Sequence, residues 1–379
     1  MKISRRQFGL GLAGLTFVSG CVSGDGDSGS VAQRGIPADL RPVSNANYDA
    51  WVAAFRGRAR GQGISDATLT QAFRGTGYLP GVVTRDRNQT EFSRTLEDYL
   101  SIAASEERVS KGRAAYDRHR PVLSALETRY GVDARIITAI WGLESFYGER
   151  MGEVPVVSAT STLAYDGRRG TFFERQLIAA LQIQQAGDIA PGRMTGSWAG
   201  AMGHTQFIPT SYLSFAVDFT GDGRRDIWSD DPSDALASTA AYLQRNGWVW
   251  GQGWGREVTG AASGPVVQPQ PGGPRFAVTR NFAVIKRYNN SDAYAIGVGH
   301  LADRIGGAGP LRTPFPPDRY GLTKDDRITL QTRLTARGFD TGGADGVIGP
   351  KSQDAIRAYQ SSRGLPVTGT PSQALLQSL

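Results

Sequence analysis

Asp133-Ala-Arg-Ile-Ile-Thr-Ala-Ile-Trp-Gly-Leu-Glu-Ser-Phe-Tyr-Gly148 is the stretch on which the fold turns. An Asp at an N-cap accepts hydrogen bonds from the unpaired N–H groups of a first turn, and a Gly readily follows a helix end, so a helix is predicted between them. Within it Ile136, Ile140 and Glu144 recur every four residues and share one face, with Ile137 and Trp141 on the adjacent row. The only carboxylate of the helix body thus lies on its apolar side, where burial disfavours the charged form and raises the pKa. A carboxyl group kept protonated near neutral pH is suited to general acid catalysis. The same position also suits a structural Glu paired with Arg135 or Arg150.

Helical periodicity continues on both sides. Trp51, Val52 and Phe55 are spaced as one face, and Leu96, Tyr99, Leu100 and Ala103 as another. Further helices are expected over 113–130, 134–147, 172–186, 232–246 and 291–305. A Gly/Pro-rich loop at 260–274 leads into Phe276-Ala-Val and Phe282-Ala-Val-Ile, which read as short strands. The class is therefore mainly α (α+β), with a main domain over 45–306 and a small β element. Gly and Pro then mark a linker at 307–320. Beyond it, 321–379 reads as a small three-helix domain. Its first helix holds Ile328, Leu330 and Leu334 and stops near Gly338. The turn Asp345–Pro350 opens a second with Ile356 and Tyr359, and Pro371 starts a third with Leu375 and Leu376.

The 379 residues are 40% hydrophobic and 20% charged, which suits a soluble globular protein with a sizeable core. A net charge of +7 favours an anionic partner, although a solvated basic surface accounts for it equally well. No Lys/Arg block is dense enough for a nucleic-acid tract, so no nucleic acid is expected. The three histidines, 119, 204 and 300, are scattered and form no H-E-x-x-H, and no G-x-S-x-G is present, which disfavours metallohydrolase and serine-hydrolase chemistry.

The N-terminus points outside the cytoplasm. Ser4-Arg5-Arg6-Gln7-Phe8 reads as a twin-arginine export signal, and the uncharged Phe8–Gly20 is too short for a stable membrane span. Val18-Ser19-Gly20-Cys21 resembles a bacterial lipoprotein cleavage box, with Cys21, the sole cysteine, as the lipidated residue. Residues 1–21 are thus expected to be a signal and 22–44 a Gly/Ser/Asp-rich tether. Val22 in place of an inner-membrane-retaining Asp suggests a periplasmic protein anchored on the inner face of the outer membrane.

Ser197-Trp-Ala-Gly-Ala-Met-Gly-His-Thr-Gln-Phe-Ile-Pro-Thr-Ser-Tyr212 places the neutral hydrogen-bonding groups of Ser197 and Gln206 beside Met202, Phe207 and Tyr212. Neutral amides and hydroxyls beside apolar faces suit a sugar, and they also pack cores. Together, W-G-L-E-S-F-Y-G, G-S-W-A-G-A-M-G-x-x-Q-F-I-P-T-S-Y and D-A-x-A-S-x-A-x-Y-L-x-x-x-G-W resemble the membrane-bound lytic transglycosylase B family over residues 48–306. The C-terminal D-G-V-I-G-P-K and A-I-R-A-Y-Q resemble a peptidoglycan-binding domain.

The resemblance implies a lysozyme-like fold that cleaves peptidoglycan glycan strands, with Glu144 as sole acid/base. It implies sugar contacts from Ser197, Gln206, Tyr242, Tyr288, Asn289 and Tyr294, and places Arg168 and Arg169 where a basic pair meets acidic stem peptides. Phe172 stands where relatives can carry a tyrosine, and His204 where they often carry a neutral residue. A lysozyme-type hydrolase needs a second carboxylate. None is found embedded in an apolar or aromatic motif, and in the family the substrate's own acetamido group and 6-hydroxyl take over, giving 1,6-anhydro ends. A hydrolytic muramidase and a non-catalytic peptidoglycan-binding lipoprotein are the alternatives. No cofactor for the chemistry is expected, and a monomer is.

Asp218-Phe-Thr-Gly-Asp-Gly-Arg-Arg-Asp226 supplies Asp218, Thr220, Asp222 and the Arg224 carbonyl at calcium-loop positions. Ser229 stands at the last position in place of the bidentate Glu. The resemblance suggests Asp234 as its replacement, with Asp226, Asp230 and Asp231 as rivals and a metal-free Asp/Gly turn as the other reading. Trp248, Trp250 and Trp254 suit either sugar stacking or core packing.

Overall fold

A computed structural model of the chain describes residues 36–88 and 95–379. The expected export signal, Cys21 and the expected tether as far as residue 35 lie outside the described residues. Residues 36–44, expected as the last part of the tether, pack against the main domain. Leu40 is buried with Leu79 and Val82, Ile36 packs beside them, and the Val43 N–H donates to the Tyr78 carbonyl at 2.9 Å. These apolar side chains gain by leaving water for the pocket they fill.

The described residues hold sixteen α-helices and two small antiparallel sheets. Asp133 caps the central helix as expected, its Oδ1 accepting the Arg135 N–H at 2.8 Å, and the helix runs Ala134–Ser145. Ile136, Ile137, Ala139, Ile140 and Trp141 are all buried. Helices Glu106–Arg118, Arg120–Tyr130, Ser233–Arg245 and Asp292–Ile305 pack around it. A helix apolar on nearly every side belongs at the centre of a domain, and Glu144 is thereby carried into the interior. The chain leaves through three successive left-handed residues: Phe146 (φ 55°), Tyr147 (φ 61°) and Gly148 (φ 92°). The two non-glycines each cost on the order of 1–3 kcal/mol, which surrounding contacts must offset.

Two expected elements differ. The helix predicted over 113–130 is two helices, Glu106–Arg118 and Arg120–Tyr130, meeting at His119. Pro121 has no N–H to donate and its ring clashes with a helical carbonyl one turn back. The strand predicted at Phe282-Ala-Val-Ile is instead the helix Arg280–Tyr288. Phe282, Val284 and Ile285 are buried there, and the Thr279 side chain caps it by accepting the Asn281 N–H. Phe276-Ala-Val is a strand, Arg275–Val278, at the centre of a three-stranded sheet between Gly255–Val258 and Val266–Val267.

The C-terminal unit forms its three helices as expected: Lys324–Ala336, Pro350–Ser362 and Gln373–Ser378. They enclose a separate core of Leu322, Leu330, Leu334, Ile356, Tyr359, Leu375 and Leu376. The linker before them is fastened, with the Glu257 carboxylate accepting the N–H groups of Arg312 and Thr313 at 2.8 and 2.7 Å. Among the described residues no helix is long and apolar enough to cross a membrane.

Candidate active site

Glu144 sits in the last turn of the central helix and is partly buried. Its Oε1 accepts a hydrogen bond at 2.6 Å from the phenol of Tyr294, a 5%-exposed residue near the start of helix Asp292–Ile305. Burial pushes the Glu144 carboxyl up to about 7, against the smaller opposing pull of the Tyr294 hydrogen bond. Among the described residues no arginine or lysine forms an ion pair with Glu144, and no other carboxylate contributes to its shift. The Arg135 guanidinium is taken by Asp133 at 2.8 Å, and Arg150 lies over the Phe146 ring at 4.3 Å. Burial, then the Glu144 charge, holds the phenols of Tyr294 and Tyr288 well above their usual range, so both remain O–H donors.

Tyr288, at the end of helix Arg280–Tyr288, donates to the Thr205 carbonyl at 2.7 Å. Its ring centroid is 4.9 Å from that of Tyr242 and 5.8 Å from that of Phe207. Tyr242 is fastened by its hydroxyl to the Arg287 carbonyl at 2.6 Å. Asn289 follows in extended conformation and is 8% exposed. Tyr288 and Tyr294, six residues apart, thus come together electrostatically with Glu144 from a distant part of the chain, with Tyr242 and Phe207 packed behind Tyr288.

The segment 196–207 forms two linked turns. The Ser197 Oγ accepts the Ala201 N–H at 3.1 Å, and Met202 and Phe207 pair backbone to backbone. Gln206 adopts a left-handed φ of 52°, and its amide donates to the carbonyls of Met151 and Gly203 at 2.9 and 2.8 Å. Gly203, at φ 68°, lies so close to Ile227 that a Cβ would meet its carbonyl oxygen at 2.2 Å. Met202 and Phe207, expected to offer surface to a sugar, are buried with Tyr212 and Trp228 in a second core cluster. They are apolar enough that the turn closes over them, and Phe207 packs against the rings of Tyr242 and Tyr288.

Arg168 and Arg169 are directed elsewhere. Both pair with Asp86, a 1%-exposed residue, at 2.6 and 3.1 Å. Burial raises the Asp86 pKa, and the two guanidiniums more than offset it, leaving the carboxyl below its usual range. Arg169 also covers the Phe173 ring at 4.9 Å, and Phe172 packs edge-on to Phe173. A buried carboxylate needs a counter-charge, which accounts for the basic pair without a ligand. Trp254 is buried with its N–H on Asp303, Trp248 is half-buried, and only Trp250 is exposed.

In the Asp/Gly loop, carboxylate oxygens of Asp218, Asp222 and Asp234 lie within 4.8 Å of one another. Asp234 starts helix Ser233–Arg245 and accepts the N–H groups of Phe219, Thr220 and Asp226 at 2.9, 3.1 and 3.0 Å. Burial, and more weakly the charge of Asp218, raises its pKa. Asp226 instead caps Trp228 and Ser229, and Asp231 caps Ser233. Three converging hard oxygen ligands, one of them buried, fit a divalent cation.

A family model described as a transglycosylase SLT domain matches residues 47–268 and 260–303, and one for a peptidoglycan binding domain matches 323–379. Membrane-bound lytic murein transglycosylase B of Escherichia coli (strain K12) is 31% identical over 231 residues, an alignment spanning 52% of this chain and 63% of that protein. SltB3 from Pseudomonas aeruginosa has been solved with NAG-NAM-pentapeptide (43% identity, TM-score 0.70, 88% of this chain and 100% of that one). It has also been solved with NAG-anhNAM-pentapeptide (42%, TM-score 0.70, 88% and 99%). The E. coli lytic transglycosylase Slt35 in complex with calcium matches at 27% identity and TM-score 0.59, over 69% of this chain and 93% of that one. The match runs through the helical domain that holds Glu144 and continues into the three-helix unit, so the chain belongs to the SLT transglycosylase family, with a C-terminal peptidoglycan-binding domain.

Proposed function

We propose that the chain is a lytic transglycosylase that cleaves the MurNAc–GlcNAc β-1,4 bond of peptidoglycan and leaves 1,6-anhydro-MurNAc ends. The observation that carries this reading is Glu144, a carboxyl with a pKa of about 7 that bears one phenol donor. A carboxyl poised there serves as acid and as base in turn. Neutral Glu144 gives its proton to the glycosidic oxygen as the bond to the muramyl C1 breaks, and the acetamido oxygen of the same sugar supports the positive charge. The Glu144 carboxylate then takes the proton of the muramyl 6-hydroxyl, whose oxygen bonds to C1. No water is consumed, and Glu144 ends protonated. Tyr294 steadies the carboxylate between the half-steps. Ser197, Gln206, Tyr242, Tyr288 and Asn289 line the sugar sites, and the Ser197 hydroxyl, already an acceptor for Ala201, keeps its own proton to donate. The ligands of SltB3 support this substrate class.

Digested cell wall then yields muropeptides one water lighter than those with reducing ends. Reducing ends would identify a hydrolytic muramidase, and no release at all a wall-binding protein without activity. Tyr294→Phe removes the bond that favours the Glu144 carboxylate, so its pKa rises and the alkaline limb of the rate profile moves to higher pH. Turnover falls about 10- to 100-fold, the worth of a hydrogen bond to a charged group. A limb that stays in place would show that Tyr294 does not act on Glu144.

Asp218, Asp222 and Asp234, with Thr220 and the Arg224 carbonyl, would hold a structural calcium that neutralises the loop. Calcium at a hundred times its dissociation constant stabilises by about 2.7 kcal/mol, a rise in Tm of about 5–10 °C. That rise disappears in Asp222→Ala, and a wild-type melt indifferent to calcium would leave the loop as a turn. The Arg5-Arg6 pair and Cys21 support export and lipid anchoring in the periplasm, with the C-terminal domain holding the enzyme to the wall.

A further inference from the structure

We propose that His204, as a neutral imidazole with its proton on Nε2, is a positioning residue that locks the Glu144 turn to the Gln206 turn. The inference rests on Glu144 being the acid/base. Its geometry is independent of that reading. The indole N–H of Trp141 is a donor only, and it lies 3.1 Å from His204 Nδ1, which must therefore accept. The Ser229 carbonyl is an acceptor only, 2.7 Å from Nε2, which must therefore carry the proton. The two partners select one tautomer and one charge state, and the ring is 5% exposed.

The backbone of the same residue makes a second grip. Its N–H donates to the Ile227 carbonyl at 3.0 Å, and its carbonyl accepts the Ser145 hydroxyl at 2.6 Å. The Ser145 Oγ in turn accepts the Gly148 N–H at 2.9 Å. Trp141 and Ser145 lie three residues before and one after Glu144, so His204 holds the helix on both sides of the carboxyl. Gly148 is required twice over. Its φ is 92°, and a Cβ there would meet the imidazole at 2.6 Å. His119 also packs edge-on against Trp141, with ring centroids 5.3 Å apart. Two residues beyond His204, Gln206 is held to Met151 and Gly203. One residue thus fastens the acid's helix, the left-handed exit from that helix and the sugar-side turn together. It touches no reacting atom.

His204→Phe keeps the bulk and loses both ring bonds. His204→Gln keeps an acceptor and a donor at nearly the spacing of the two ring nitrogens. In full-length protein His204→Phe is expected to lower kcat on the order of 10- to 100-fold, as for a small misplacement of a catalytic group, with KM within about twofold. His204→Gln is expected to restore kcat to within about threefold of wild type. Hydrogen exchange of the Trp141 indole N–H is read alongside: slow in wild type and His204→Gln, fast in His204→Phe. Fast exchange with unchanged kcat overturns the proposal, as does His204→Gln failing to rescue while its exchange stays slow. If wild type releases no product but the exchange pattern holds, the proposed activity has failed and the lock has not. A fast-exchanging wild-type indole would sink the lock whatever the activity.

Discussion

Glu144→Gln is expected to lower turnover on peptidoglycan by on the order of 10⁴-fold, the upper end of what one general acid–base group supplies, because in the proposed mechanism the same carboxyl serves both half-steps. The fold survives, since Tyr294 can donate to the amide oxygen as it does to Oε1. Stability should move the other way. The folded pKa of about 7 lies above the ordinary value of 4.5, so the contribution of this group is fully present below pH 4.5 and is lost as pH rises through 7. At pH 8 wild type carries a charge it would rather not bury, worth up to about 3 kcal/mol. Glu144→Gln carries none, so its Tm should exceed that of wild type at pH 8 and match it at pH 4. Thermal melts at the two pH values check this. A variant less stable than wild type at pH 8 would mean that the carboxylate is well solvated, and that burial is not what tunes it.

Arg327→Met should cost on the order of 3–5 kcal/mol, the usual result of removing one partner from a buried charge network. Arg327, in the first helix of the C-terminal domain, is 3% exposed. Its Nη2 reaches Glu97 and Asp98 of helix Leu96–Ala103 at 3.0 and 2.9 Å, and its Nη1 reaches Asp318 at 3.2 Å. Its Nε donates to the Gly346 carbonyl at 2.6 Å. One guanidinium therefore serves three carboxylates and joins the wall-binding domain to the catalytic one. Methionine fills much of the space and leaves those carboxylates without a counter-charge. A lower melting transition for the C-terminal helices and faster proteolysis within 307–320 are expected. Part of the loss should return when Glu97→Gln and Asp98→Asn are added. A variant that melts within a few tenths of a degree of wild type would show that the contact contributes nothing.

The parts legible in the sequence are those written in local chemistry. The Asp133 cap, the four-residue spacing up to Glu144 and the three C-terminal helices each follow from neighbours within a few turns. Pro121 was visible too, but the apolar pattern on both sides hid the break it makes. Phe282-Ala-Val-Ile is compatible with strand or helix, and what decides is distant: Asn281 is fully buried and clamps Val249 by two hydrogen bonds from 32 residues away. Arg168 and Arg169 find Asp86 more than eighty residues earlier, and no local signal marks that pairing. The contact between Tyr294 and Glu144 spans 150 residues. Only the resemblance brought those two residues into one site before the fold did.

Whether Glu144 works with a substrate hydroxyl in place of water is read most directly by digesting peptidoglycan in water enriched in heavy oxygen and weighing the released ends. With wild type, new ends free of the label and one water lighter than reducing ends are expected, and with Glu144→Gln no release above background. Heavy oxygen at C1 of most new ends would contradict the mechanism and make the enzyme a hydrolase.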